Sequence, residues 1–169
     1  YSRSGHNYGY ELELGVPGLG SDQSFSVHRL YYQTFLPVFD WPHSNLNLRF
    51  QLGSANTRVF GEDTWDIGSS TRLRGYDRDT IKGNAFVLAN AELLVPLFGY
   101  APLRGVIFAD VGNAYPSFGK IDLGDLKASA GLGLRWKLKS FVNVTLRVDA
   151  AYAFDTGETK IYAGTKETF

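Results

Sequence analysis

Residues 72–76 read Arg-Leu-Arg-Gly-Tyr and lie in the longest break between strand-like runs, from roughly Asn56 to Gly83. The chemistry these residue types offer is non-covalent. A guanidinium donates planar, charge-assisted hydrogen bonds that an ammonium does not reproduce. A glycine lets the backbone turn tightly, and an aromatic ring packs beside it. Long loops in compact proteins are usually functional or disordered, and this one has too few low-complexity features for simple disorder. Bond-making chemistry has less to stand on. His6, His28 and His43 are scattered, with no Ser-His-Asp pattern in a recognisable local motif. The chain has no cysteine, hence no disulfide framework, no thiol nucleophile and no zinc–thiolate site. No enzyme activity, metal or cofactor is expected. A membrane-barrel protease or acyltransferase is the alternative that the histidines would have to serve.

Those residues sit in a chain of 169 residues, enough for one domain, with 17 basic and 17 acidic side chains and no net charge. Zero net charge argues against nucleic acid as the main partner, since phosphate binding needs a basic excess. The 19 glycines, 10 tyrosines and 12 phenylalanines, with few long helical patterns, suggest sheet. The absence of methionine implies a processed or excised product. No apolar run reaches the length of a membrane helix. A membrane barrel stays open, because its apolar residues come at every second position and leave mean hydropathy low.

Alternation with period two is the dominant pattern. Leu46, Leu48, Phe50 and Leu52 oppose Asn45, Asn47, Arg49 and Gln51. The runs Lys127 to Leu138 and Phe141 to Phe154 repeat the pattern, as does Tyr8 to Leu14. Phe25 to Leu36, Phe86 to Val95, Val106 to Tyr115 and Lys160 to Phe169 are less clean and complete eight predicted strands. Turn signals separate them: Pro17-Gly18, Asp40-Trp41-Pro42, Phe98-Gly99-Tyr100 with Pro102, Lys139-Ser140 and Asp155-Thr156-Gly157. An even number of strands near ten residues long, joined by tight turns, matches a transmembrane β-barrel wall. Aromatics near strand ends (Tyr8, Tyr10, Trp41, Tyr100, Trp136, Phe141, Tyr152 and Phe154) fit an interfacial girdle. A soluble β-sandwich or lipocalin-like barrel also alternates. Its core would be filled by large side chains, whereas Gly and Ala are common on several faces here.

Three segments in order, Leu73-Arg74-Gly75-Tyr76, Asn84 to Pro96 with Glu92, and Phe108-Ala109-Asp110-Val111-Gly112-Asn113, resemble the bacterial surface-antigen family of outer-membrane assembly factors, which includes BamA and TamA. The resemblance covers essentially the whole chain. It implies an all-β, antiparallel transmembrane β-barrel, with these eight strands corresponding to the C-terminal half of a sixteen-stranded barrel. It also implies a long loop, about 56–83, folded into the lumen, and a location in the outer membrane of a Gram-negative bacterium.

Parity supports the inward loop. On Phe86 to Val95 the odd positions are apolar and would face lipid, so Asn90 and Glu92 face inward; by the same count Phe108, Asp110 and Gly112 face inward. An arginine between Glu92 and Asp110 can bond both carboxylates. Arg74, Glu92 and Asp110 are therefore expected to form a latch, with Gly75 allowing a close approach to the wall and Tyr76 packing beside it. Arg72 is the competitor for Arg74's role. Arg49, Arg135, Lys137, Arg147 and Asp149 are expected to line the inside.

A closed eight-stranded barrel has an interior that side chains already fill, so it has no room for this loop. The edges near Tyr8 to Leu14 and Lys160 to Phe169 then need partners, since unpaired edges are not tolerated in lipid. These would be a second copy or a missing N-terminal half-barrel. The last strand, with Gly164, Thr165, Lys166, Glu167 and Thr168, offers little lipid-facing grip, and the terminal Phe169 resembles the aromatic end of outer-membrane proteins. The expected partners are the lipid bilayer and client outer-membrane or secreted proteins. The expected function is non-covalent insertion or translocation through a weak lateral seam. The alternative is a passive pore or two-partner secretion channel of the same superfamily.

Overall fold

The computed structural model describes residues 4–38, 42–58, 62–139 and 143–165. Ten strands form: β1 (Gly5–Gly15), β2 (Phe25–Pro37), β3 (Asn45–Ala55), β4 (Trp65–Asp66), β5 (Lys82–Gly83), β6 (Ala85–Leu97), β7 (Tyr100–Tyr115), β8 (Lys127–Lys139), β9 (Asn143–Ala153) and β10 (Thr159–Gly164). Eight make one antiparallel sheet in the order β1-β2-β3-β6-β7-β8-β9-β10, and among the described residues β4 and β5 form a separate two-stranded pair. Among the described residues β1 and β10 each have one neighbour, so the sheet is not closed on itself.

The register sorts the side chains onto two faces. Arg49 lies opposite Asn90, Asn90 opposite Asp110, and Asp110 opposite Ser129, so these polar residues share one face. Asp149 joins that face opposite Gly133, and Tyr162 joins it opposite Asp149. We call it the inner face. The large exposed apolar residues of β1, β2, β3, β8, β9 and β10, such as Leu12, Leu30, Phe50, Leu132, Val148 and Ile161, all sit on the other face. Asn90, Glu92, Asp110, Arg135 and Asp149 are buried. Polar side chains inside and apolar ones outside invert the arrangement of a soluble protein, and so extensive an apolar surface marks contact with lipid or protein.

The strand ends correct one sequence-based boundary. Val106 was the expected start of β7, with Phe98 to Tyr100 and Pro102 as a turn; the strand begins instead at Tyr100. Phe98 (φ 54) and Gly99 (φ 70) both adopt left-handed backbone, the signature of a two-residue hairpin whose twist matches the flanking strands. The register then slips between Pro96 and Leu97, so that Leu97 faces Tyr100 while Pro96 faces Arg104. This bulge accommodates Pro102, which cannot donate to a regular ladder. Within the described residues the last strand covers Thr159–Gly164. Trp41, Ser140, Phe141, Lys166, Glu167, Thr168 and Phe169, which figured in the girdle, turn and terminal-strand readings, lie outside the described residues.

The segment between β3 and β6 is not featureless. Its β4–β5 pair makes it a hairpin, and Ile67, Leu73, Tyr76 and Ile81 bury an apolar side against Phe86 and Leu88 of β6 and Ala153 of β9. Trp65 packs on Phe86 in a tilted arrangement, with ring centroids 4.7 Å apart. Burying this apolar side offsets the entropy of ordering a long loop.

Candidate functional site

The site is built where the tip of this hairpin, residues 70–76, meets the inner face. Arg74 is fully buried. Its Nε and Nη2 donate to the two carboxylate oxygens of Asp110 at 2.6 and 2.7 Å, a fork on a single acid. Nη1 donates to Glu92 Oε1 at 2.5 Å and stands 3.6 Å from Asp149 Oδ2. The backbone N–H of Arg74 also donates to Asp110, at 3.2 Å. The guanidinium carbon lies 3.5 Å from the centre of the Phe108 ring, a cation–π contact in a desolvated setting. Burial works against the Arg74 charge, but the hydrogen bonds and charges of Asp110 and Glu92 outweigh it, so its pKa is raised and it stays cationic.

Geometry on β8 makes room for this cluster. Gly131 faces Phe108, and a Cβ there would stand 2.4 Å from the Phe108 ring and 2.0 Å from the Ala150 carbonyl oxygen. Gly133 faces Asp149, and a Cβ there would stand 2.0 Å from its carboxylate. The inward glycines of β8 are therefore spaces for an aromatic ring and an ion cluster. Gly75 has φ +92 and presses its backbone on β9, where an added Cβ would meet Ala153 Cβ at 3.2 Å.

The residues expected to line the inside are placed as follows. Arg135 donates to Asp149 at 2.5 Å and to Glu92 at 3.2 Å, and Arg147 Nε donates to Asp149 at 2.5 Å. Arg135, Arg147 and Asp149 are buried, and Asp149 is held among three arginines rather than set on an open path. Lys137 is exposed and lies opposite Thr145, further along β8. Arg49 is half-buried and donates to Asn90 Oδ1 at 2.7 Å and to the Thr71 carbonyl at 2.8 Å. Arg72, the competitor for Arg74, turns back into its own loop and donates to the Asp66 carbonyl at 2.7 Å.

Sequence reasoning missed a second layer. Wall side chains hold three consecutive loop carbonyls: Arg147 bonds that of Ser70, Arg49 that of Thr71 and Asn90 that of Arg72. Asn90 also donates to Asp110 at 2.7 Å. Carbonyls carry no sequence signature, so only the unusual run of inward polar residues hinted at this. Further along, the Gly75 N–H donates to the Tyr162 hydroxyl at 2.9 Å. Tyr76 does not pack beside Gly75 alone; its hydroxyl donates to the Ala128 carbonyl at 3.1 Å and bonds Asp155 beyond β9.

The tip thus touches strands from β3 to β10, which in a flat sheet lie about 24 Å apart at the ordinary strand spacing. Residues 71–75 form turns rather than an extended run. The sheet must therefore curl around the tip. Among the described residues no cluster of side chains suits a metal ion.

A curled antiparallel sheet, apolar outside and polar inside, with a hairpin strapped to its inner face, defines a β-barrel wall of the membrane type. The Omp85 superfamily domain matches residues 1–166, and the chain belongs to that superfamily. Its fold is similar to that in the crystal structure of BamA from Haemophilus ducreyi lacking POTRA domains 1–3, with a TM-score of 0.72 and 17% identity over 95% of this chain. This chain spans 37% of the length of that crystallised chain. No curated protein sequence matches it.

Proposed function

We propose that this chain forms the C-terminal half of an outer-membrane barrel that inserts or translocates client proteins without covalent chemistry. The observation that carries the reading is the combination of a hairpin latched by Arg74 to Glu92 and Asp110 with two sheet edges that lack partners within the described chain. An open edge in lipid is tolerable only when another strand completes it. The same edge is a template for an incoming strand, which pairs by β-augmentation. Superfamily membership supports assembly or translocation in an outer membrane.

Arg74, Gly75, Tyr76, Glu92 and Asp110 have a mechanical role in this reading: they hold the hairpin in the lumen, and the hairpin holds the wall in its curve. The wide enclosure is completed by an N-terminal half-barrel or a second copy. Longer connections, at 16–24, 56–84 and 116–126, lie at one end of the sheet, and the two-residue Phe98–Gly99 turn lies at the other. Bacterial barrels keep short turns on the periplasmic side. In this reading the long connections face outside the cell. The burial of Arg135, Arg147 and Asp149 beneath the hairpin weighs against the passive-pore alternative.

The cysteine-free chain permits a direct test. Single cysteines placed along the β1 edge, at Asn7 or Glu13, should cross-link to the strands of outer-membrane clients during their assembly in native membranes. Steady ion conductance with no client cross-link at either site would overturn the reading in favour of a pore.

A further inference from the structure

We propose that Tyr162 couples the last described strand, β10, to the Arg74 latch, so that the docking of that strand and the seating of the loop tip form one equilibrium rather than two. The functional consequence rests on the reading of β10 as a seam strand. The coupling itself rests on geometry.

Strand β10 is weakly held within the sheet. It pairs with β9 over Thr159–Gly164, and its other edge has no partner among the described residues. Its inner-face side chains reach the loop instead. The Tyr162 hydroxyl accepts the Gly75 N–H at 2.9 Å, and Lys160 Nζ bonds Asp77. The Tyr162 ring packs on the cluster of Leu94, Val106, Phe108 and Ala151. Phe108 is also the ring that lies 3.5 Å beneath the Arg74 guanidinium. Tyr162 and Arg74 therefore border the same apolar cluster.

They are also joined through the backbone. Arg74 is anchored to Asp110 of β7 and Glu92 of β6, and the next residue, Gly75, is anchored to β10. One planar peptide separates these anchors, and a planar peptide cannot stretch to absorb relative motion. Gly75 cannot drift toward β9 either, because its backbone already lies against Ala153. Movement of β10 away from β9 must then break the Tyr162 bond or pull on the residue beside the latch. Coupling of this kind is reciprocal: loosening the latch must loosen the strand. Tyr162 is a positioning residue in this scheme.

Hydrogen exchange of the full chain in detergent micelles, read by mass spectrometry, tests the proposal. Tyr162→Phe removes the acceptor and keeps the ring. It should speed exchange of residues 159–164 and of 74–77 about fivefold, the population ratio that one neutral hydrogen bond controls. Arg74→Lys, whose ion pairs lie on β6, β7 and β9, should also speed exchange in 159–164, and the double variant should change it by less than the product of the two. Unchanged exchange in 159–164 on Arg74→Lys, or a full product in the double variant, would overturn the coupling. Should Arg74→Lys fail to fold, Glu92→Gln, which weakens the latch from β6, replaces it under the same criteria. The seam reading has a separate readout, cross-linking of Ile161→Cys to an adjoining strand. Loss of coupling with that cross-link intact would overturn the coupling alone.

Discussion

Gly131 of β8 lies directly across from Phe108 of β7, and the missing Cβ is the space the Phe108 ring occupies. That ring is the floor on which the Arg74 guanidinium rests. A position that reads as a weak strand former is thus a fitted part of the ion cluster. Gly131→Ala should cost about 1–3 kcal/mol, as overpacking of a filled interior does. The midpoint of heat-induced band shift on cold SDS gels measures it. A variant that unfolds at the wild-type temperature would show that the ring has room to move.

The latch should be non-additive. Arg74→Ala leaves Glu92 and Asp110 buried beside Asp149 without the cation that separates them, at about 3–5 kcal/mol for a broken buried pair. Adding Asp110→Ala to Arg74→Ala should cost far less than Asp110→Ala does in the wild type. A double-mutant cycle in urea gives the coupling, and additive losses would contradict a shared network.

The turn after β9 carries the pH dependence. Burial would raise the Asp155 pKa, but hydrogen bonds from Lys127 and Tyr76 and the charge of Lys127 hold it below the ordinary carboxylate value. A carboxyl depressed on folding contributes stability that is present above its unfolded pKa, about 4, and lost as pH falls through its lower folded value. Asp155→Asn should therefore lower the unfolding midpoint at pH 6, and the gap to wild type should narrow as the pH drops toward 3. A gap that stays constant would place the effect elsewhere.

The two faces can be told apart by one cation. Leu132 is 63% exposed on the outer face. In a soluble protein Leu132→Arg would change little. On a lipid-facing wall it should cost about 2–4 kcal/mol near the bilayer midplane. Lys137→Gln, on the inner face, should be nearly silent. Refolding into lipid vesicles across a urea series distinguishes these outcomes, and equal behaviour of the two variants would count against a membrane wall.

Much of the wall was legible because side-chain parity is unforgiving. In β8 and β9 every second residue is apolar, as it is in β3 from Leu46 to Leu52, and the observed register keeps that phase across the sheet. Strand β2 read poorly because its outer face carries Ser26, His28 and Thr34, two of which have local polar partners: His28 bonds Tyr10, and Thr34 bonds the Gly5 carbonyl. The start of β7 was missed because Phe98 adopts a left-handed backbone that its residue type does not advertise. In the site, parity brought Glu92 and Asp110 to one face, but it could not find Asn90, Arg49 and Arg147 as donors to loop carbonyls. Nor did the loop's own apolar side register, although Trp65, Ile67 and Ile81 stand out in a polar stretch.

The tip of the hairpin is gripped by its main chain at Ser70, Thr71 and Arg72, while the wall supplies the side chains that do the gripping. Identity is therefore required on one partner only. Among relatives that keep this grip, substitutions should accumulate at Ser70 and Thr71 and spare Arg49, Asn90 and Arg147, so that the segment least constrained in spelling is the one most firmly held.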